Sequence, residues 1–410
     1  MLMTPARVVY PVPDLQAAKT WYRGILGAPP VLDAPFAVAF KVGEVSLVLS
    51  PGEAPAGSPA GLVYWRVENL EEALRRWLEA GAKPHAGPRT LRDSIFASVT
   101  DPFGNVLGLL GPAPGPETRS VARIPSDSAM SVALLRALAA QDERAEIRGQ
   151  DHLAELFVTE ERRAPLRDSA MRHWVLDQAA GRGLYEFLLA RTAYFDGVVQ
   201  NALQAGLPQL VLLGAGYDSR PYRFLAQAGR TRIFELDSEP TQQRKRELLA
   251  QHGIALPSEL TFIPLDLTLG GLSEHLVDAG FDPGRPSLFV WEGVVYYLPE
   301  QSVRGTLASV RTLCAPGSLL SFDYVSPVPG VGDMVSGLDL HDRLQRDHPG
   351  EPIRFRREAE VIHKLLVEMG FQVKVQLTAA ELEGTFLRLA DGSLAGRIPP
   401  VFGLVTAGVD

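Results

Sequence analysis

Four short segments of the 410-residue chain carry side chains suited to gripping a small polar ligand. The first, Leu212-Leu213-Gly214-Ala215-Gly216-Tyr217-Asp218-Ser219, closes an apolar run with a glycine turn, the position of a nucleotide-binding turn in α/β folds. A dinucleotide site wants a third glycine where Ser219 stands, because a pyrophosphate and a tightly packed helix need that space. Asp237, twenty-three residues after Gly214, ends Phe234-Glu235-Leu236-Asp237 and puts an acid where a ribose diol would be held. An adenosyl ligand without phosphates fits both features. Asp266 in Pro264-Leu265-Asp266-Leu267 and Glu292 in Trp291-Glu292-Gly293 end two further apolar runs. Four successive strands would thus deliver Gly, Asp, Asp and Glu to one edge, and in an open α/β sheet the C-terminal edge faces the ligand. Each residue alone has a plainer reading: an ordinary tight turn, a helix cap at Asp266, a solvated turn residue at Glu292. The succession of four favours a site.

The elements that must position these residues follow from periodicity. From about Ser126 the pattern predicts helices over Ser128–Ala140, His152–Phe157, Arg167–Ala190 and Ala193–Ala205. Strands are expected at Leu210–Leu213, Arg232–Leu236, Phe262–Leu265, Leu288–Trp291, Ser318–Tyr324, Phe371–Leu377 and Phe402–Thr406, separated by helical stretches. Short apolar strands alternating with helices predict a doubly wound, mostly parallel, Rossmann-like sheet covered on both faces.

This region resembles the leucine carboxyl methyltransferase family, whose members depend on S-adenosyl-L-methionine (SAM). The resemblance spans about residues 126–410 and rests on Arg191-Thr192 with Tyr194-Phe195-Asp196, LGAGYDSRPYRF at 213–224, FELDSEP at 234–240, PLDL at 264–267 and WEGVVYYLPEQSV at 291–303. It implies that Arg191 pairs with the methionine carboxylate and that the backbone at Gly214, Ala215 and Gly216 passes close to the cofactor. It further implies that Asp237 holds the ribose hydroxyls, Asp266 and Leu267 border the adenine, and Glu292 contacts the cofactor's amino end. Arg191 also reads as a surface arginine at a helix boundary. Tyr296 and Tyr297 either line the acceptor pocket or pack behind it. SAM carries a carboxylate, an ammonium and a sulfonium, so one Arg among several carboxylates balances its charges. If the acceptor is a carboxylate, it is already ionised at neutral pH and needs no general base. A phenol or alcohol acceptor would need one, and His341 and His348 in the stretch 337–348 are the candidates. That stretch reads as a solvated amphipathic segment covering the acceptor pocket rather than as a metal site.

Residues 8–50 and 63–110 repeat each other at an offset of 55, matching Val12 to Val67, Leu15 to Leu70, Ala18 to Ala73 and Tyr22 to Trp77. Each half reads as a strand, an N-cap at Asp14 or Asn69, a helix ending near Gly27 or Gly81, then further strands. The expectation is an α+β domain of paired βαβββ modules. VPDLQAAKTWYRGILG and TDPFGNVLGLL are similar to the vicinal-oxygen-chelate family, the glyoxalase and bleomycin-resistance group, over residues 4–111. Metal-dependent members carry ligands at positions matching Arg7, Leu62, the Leu47–Leu49 stretch and Gly108, none of them a normal ligand here. The resemblance therefore implies a metal-free cup that presents acceptor, binds a regulator or makes a homodimer interface, and His85 reads as an exposed loop residue. A Pro- and Gly-rich linker is expected at 112–125, dividing a first domain, 1–111, from a second, 126–410.

Composition narrows the partners. Forty Lys and Arg against 48 Asp and Glu give a net charge of −8, without the basic footprint of a nucleic-acid binder. The lone Cys314 cannot form an internal disulfide, and the chain has no run of 18 apolar residues or apolar leader, so a cytoplasmic protein without membrane contact is expected. The favoured function is a SAM-dependent O-methyltransferase acting on a carboxylate of a small molecule or peptide. The alternative is a small-molecule-binding or resistance protein that binds SAM without turnover.

Overall fold

The computed structural model describes residues 5–26, 28–42, 45–52, 62–79, 81–91, 94–100, 106–112, 125–176, 183–327 and 351–410. Gly27, the Asp101–Asn105 turn, most of the expected linker, and the 337–348 stretch with His341 and His348 lie outside the described residues. The chain divides into two compact units, Met1–Gly115 with Pro165–Val175, and Pro116–Ala164 with Leu176–Asp410.

The first unit is built on an eight-stranded sheet of β1 (Pro5–Val12), β2 (Leu32–Ala34), β3 (Ala37–Val42), β4 (Val45–Pro51), β5 (Leu62–Arg66), β6 (Lys83–Leu91), β7 (Ser94–Thr100) and β8 (Val106–Pro112), in the order β2-β3-β4-β1-β5-β8-β7-β6. The halves of that order mirror each other, as two βαβββ modules joined along the antiparallel pair β1 and β5. Asp14 and Asn69 cap the two helices, Leu15–Leu26 and Leu70–Glu79, accepting from Ala17 N at 2.9 Å and from Glu72 N at 3.0 Å. The repeat is visible in the packing: Val12, Leu15, Ala18 and Tyr22 pack in one core, and Val67, Leu70, Ala73 and Trp77 in the other. The two edge strands are β2 and β6. β6 holds Pro84, Gly87 and Pro88, and its register with β7 shifts twice, which an edge strand tolerates because its outer face needs no partner. His85 is exposed as expected but sits in this strand, not in a loop.

The second unit holds a seven-stranded sheet of β9 (Gln209–Leu213), β10 (Arg232–Asp237), β11 (Leu260–Pro264), β12 (Ser287–Trp291), β13 (Leu319–Val325), β14 (Gln372–Thr378) and β15 (Phe402–Gly408), in the order β11-β10-β9-β12-β13-β15-β14. β15 alone runs against its neighbours β13 and β14, so the sheet is mixed but mostly parallel. Its central strands β9 and β12 are buried at every residue, which explains their unbroken apolar sequences. The chain steps from β9 outward to β10 and β11, then returns to place β12 on the other side of β9. That reversal leaves a crevice between β9 and β12 at the C-terminal edge of the sheet.

The helical expectations need correction. The predicted helix over Arg167–Ala190 is instead a 3₁₀ turn at Ala164–Arg167, a short helix at Ser169–Trp174, and the start of a 21-residue helix, Leu184–Gln204. That helix runs through the expected break at 190–193. His152–Phe157 is reduced to a 3₁₀ turn at Ala154–Phe157. Among the described residues no helix is long and apolar enough to cross a membrane.

Candidate functional site

A cavity of about 350 Å³ opens at the crevice of the second unit, and Arg191, Gly214, Ala215, Gly216, Asp237, Asp266, Leu267, Glu292, Tyr296 and Tyr297 all line it. The strand ends explain the convergence. Ala215 N donates to Leu236 O and Leu265 N to Asp237 O, each at 2.9 Å, so the loops after β9, β10 and β11 are knitted edge to edge. Gly214 has φ +67, and a Cβ there would lie 2.5 Å from Val294 Cγ2. Gly216, with φ +48, donates its N–H to Asp237 Oδ2 at 2.6 Å, while Ser238 N donates to Asp237 Oδ1 at 2.7 Å. Burial raises the Asp237 pKa, and these donors oppose the shift.

Ser219 stands where a third glycine would be, and it is fully buried, donating to Asp151 Oδ1 at 2.6 Å and accepting from Arg223 Nε at 2.8 Å. The hydroxyl is committed to this ion network. Asp266 does not cap the following helix, Leu272–Asp278, whose N-cap is Gly271; it accepts from Thr268 N at 2.8 Å in a local turn and borders the cavity. Glu292 is no solvated turn residue: its Oε1 lies 3.0 Å from Arg191 Nε and its Oε2 accepts from Arg220 Nη1 at 2.7 Å.

Arg191 is no surface residue either. It is 2% exposed in the interior of the Leu184–Gln204 helix, donates from Nη1 to Asp323 Oδ2 at 3.2 Å and lies 3.4 Å from the Tyr296 hydroxyl. Its buried Nε–H has no aligned hydrogen-bond acceptor despite the short distance to Glu292. Burial opposes its charge, and Glu292 and Asp323 outweigh burial and keep the guanidinium protonated. Asp323 comes from β13 and also accepts from Gly293 N at 2.6 Å. Tyr296 and Tyr297 form a 3₁₀ turn beside Glu292, and burial pushes both phenols up, so they stay neutral at physiological pH.

Several residues escaped the sequence reading. The expectation of one guanidinium among carboxylates is wrong: Arg136 and Arg354 also line the cavity, and Arg220 and Arg223 are buried behind it. Asp218, Asp196, Asp323 and Glu351 join the acids. Burial works against the Asp218 charge, but Arg220, Arg136 and Lys245 prevail and hold its pKa down to about 2. Arg220 and Asp196 lie inside motifs that the sequence displays, but nothing in their spacing shows that they meet. Glu351 accepts from Asp127 N and Ser128 N, both at 3.1 Å, and from Ser126 Oγ at 3.0 Å, so it caps the helix Asp127–Ala139 from 223 or more positions away.

In the first unit two of the positions matched to metal ligands are packed against aromatic rings. The Arg7 guanidinium lies 5.4 Å from the Phe96 ring centre, Phe96 meets Tyr64 edge-on at 6.0 Å, and a Cβ at Gly108 would come within 2.4 Å of the Tyr64 ring. Among the described residues no cluster of three or more His, Cys, Asp or Glu is placed to hold a metal ion.

Residues 129–311 match the leucine carboxyl methyltransferase family model, and residues 4–109 match that of the glyoxalase/bleomycin resistance protein/dioxygenase superfamily. The first of these ends before β13, short of the 126–410 expected. A relative from Mycobacteroides abscessus, provisionally named an S-adenosyl-L-methionine-dependent methyltransferase, is 38% identical over 154 residues, covering 38% of this chain and 51% of that protein. A similarly named protein from Mycolicibacterium smegmatis is 38% identical over 149 residues, 36% of this chain and 50% of the relative. The chain thus spans about half the length of the curated relatives it matches. Among solved structures, a provisionally named methyltransferase from Thermobifida fusca is similar with a TM-score of 0.46 and 18% identity, covering 72% of this chain and 97% of the other. A DUF574 family protein from Streptomyces avermitilis is similar with a TM-score of 0.47 and 15% identity, covering 70% and 98%.

Proposed function

We propose that this chain is a SAM-dependent O-methyltransferase whose acceptor is a carboxylate on a small molecule or peptide. The observation that carries the reading is the convergence of Gly214, Asp237, Asp266, Glu292 and Arg191 on one cavity at the sheet reversal. The donor set suits the cofactor. Asp237 presents a carboxylate at the end of β10 for a ribose diol, Gly214 admits close backbone approach, and Leu267 offers apolar surface for an adenine. The unmatched Nε–H of Arg191 is a buried donor awaiting an acceptor, as a ligand carboxylate would supply. Glu292 is the anion available to a ligand ammonium. SAM bound there supplies an electrophilic methyl group on a sulfonium.

The protein's own part is positioning and the exclusion of water. Tyr296 and Tyr297, held neutral, serve as hydrogen-bond donors rather than as bases, which suits an acceptor that arrives already ionised. Arg354 supports an anionic acceptor. Its backbone N–H is pinned to Tyr296 O at 2.7 Å, its side chain is exposed at the cavity, and among the described residues it makes no ion pair. A homodimer and a cytoplasmic setting are parts of the same reading. The first unit, with no normal ligand at Arg7, Leu62 or Gly108, acts as a metal-free accessory domain.

The test is mass spectrometry of a bacterial extract incubated with the protein and a methyl-labelled donor. A base-labile labelled mark is expected, indicating an ester. A base-stable mark would move the acceptor to an ether or amine, and no mark with intact cofactor binding would leave a binding protein without turnover.

A further inference from the structure

We infer that Arg220, which does not line the cavity, is the positioning residue that aims Glu292 at the amino end of the ligand. The inference rests on the proposed role of Glu292. Arg220 is 1% exposed and opens a short helical turn immediately after the glycine turn. Its guanidinium joins three elements: Nε donates to Asp196 Oδ1 on the Leu184–Gln204 helix, and Nη1 donates both to Asp218 Oδ2 in the glycine turn and to Glu292 Oε2 after β12, all at 2.7 Å.

Two arginines flank Glu292, and they are not equivalent. Arg191 Nε is near Oε1 but its N–H is not aligned on it, whereas Arg220 makes an aligned, charge-assisted hydrogen bond to Oε2. The directional restraint on the Glu292 carboxylate therefore comes from Arg220. Arg220 is itself held from behind. Asp196 accepts from Arg223 Nη1 and Nη2 at 2.8 and 2.9 Å, and Arg223 is anchored on Ser219, so Asp196 is fixed before it meets Arg220. Asp218 N donates to Ala215 O at 2.8 Å, so the same guanidinium ties the glycine turn to the carboxylate across the crevice from it. Without Arg220, Asp196, Asp218 and Glu292 would lose the one cation they share, and Glu292 would keep only the unaligned contact with Arg191, which does not fix its direction.

A purely structural arginine would weaken every ligand alike, and the experiment separates that case. The full-length chain is titrated calorimetrically with S-adenosylhomocysteine and with its analogue lacking the α-amino group. Arg220→Met is expected to weaken S-adenosylhomocysteine by about tenfold or more while changing the analogue by no more than about twofold. Arg220→Lys, which keeps the charge but not the forked geometry, recovers part of the discrimination. If Arg220→Met fails to fold, Asp196→Asn, which loosens Arg220 from behind, takes its place with a smaller shift in the same direction. Equal loss on both ligands overturns the inference. Glu292→Gln in the same titration tests the underlying reading: if it does not discriminate, the assignment of Glu292 falls, whereas discrimination by Glu292→Gln without it in Arg220→Met removes Arg220 alone.

Discussion

Gly214 and the buried pair of Glu235 and Lys245 show how single residues set the limits of this site. At Gly214 the left-handed backbone and the contact with Val294 leave no room for a methyl group. Gly214→Ala is therefore expected to destabilise the protein by about 1–3 kcal/mol and to abolish S-adenosylhomocysteine binding, read by thermal unfolding and calorimetry. Glu235, two residues before Asp237 and wholly buried, is pushed up to about 7 by burial, with Lys245 Nζ at 2.7 Å opposing the shift. Because the folded state holds this proton more tightly than the unfolded chain, its contribution to stability is full below the ordinary glutamate pKa and is lost as pH rises through about 7. Urea unfolding from pH 4.5 to 8 should show a shallower decline in the double variant Glu235→Gln, Lys245→Met than in the wild type; an unchanged decline would place the titration elsewhere. Of the site residues, those at strand ends were legible because an acid or glycine closing an apolar run is a local signal. Asp323, Arg220 and Glu351 were not, because their meaning lies in partners 24 to 225 positions away.

Elements were legible where burial is one-sided or complete, and obscure where context decides. All seven strands of the second sheet fall within two or three residues of their expected places, since β-branched and aromatic runs bounded by turn residues need little context. The sequence pattern breaks the helix Leu184–Gln204 between Ala190 and Ala193, with Arg191 at the boundary. That arginine is balanced by Glu292, just past the end of β12, and by Asp323, inside β13, partners that local pattern cannot see. The N-terminus of the Asp127–Ala139 helix depends on Glu351 in the same way. Glu351→Ala strips acceptors from two backbone amides and the hydroxyls of Ser126 and Ser128. Hydrogen exchange at residues 127 and 128 should accelerate by a factor equivalent to about 1–2 kcal/mol, with the rest of the sheet unchanged. Unaltered exchange there would show that the carboxylate is not the cap.

On the scale of the whole molecule, the repeat in the first unit and the strand–helix alternation in the second were both readable, because each imposes a period on the sequence. How charge is distributed was not: a net charge of −8 conceals a concentration of arginines around the cavity. In the first unit Arg7 lies over the Phe96 ring and Gly108 abuts the Tyr64 ring, and the described residues hold no cluster fit to bind a metal. Titration of the full chain with zinc or manganese ions should therefore show no stoichiometric binding, and one tightly bound ion per chain would contradict a metal-free first unit. By the proposed function, the acids and Arg191 at the sheet reversal hold an adenosyl ligand that has no phosphates. Calorimetric titration of the full chain with S-adenosylhomocysteine tests it most directly. One site per chain is expected, lost in Asp237→Ala and in Arg191→Ala and not displaced by NAD. Absence of binding, or binding indifferent to both substitutions, would contradict the account.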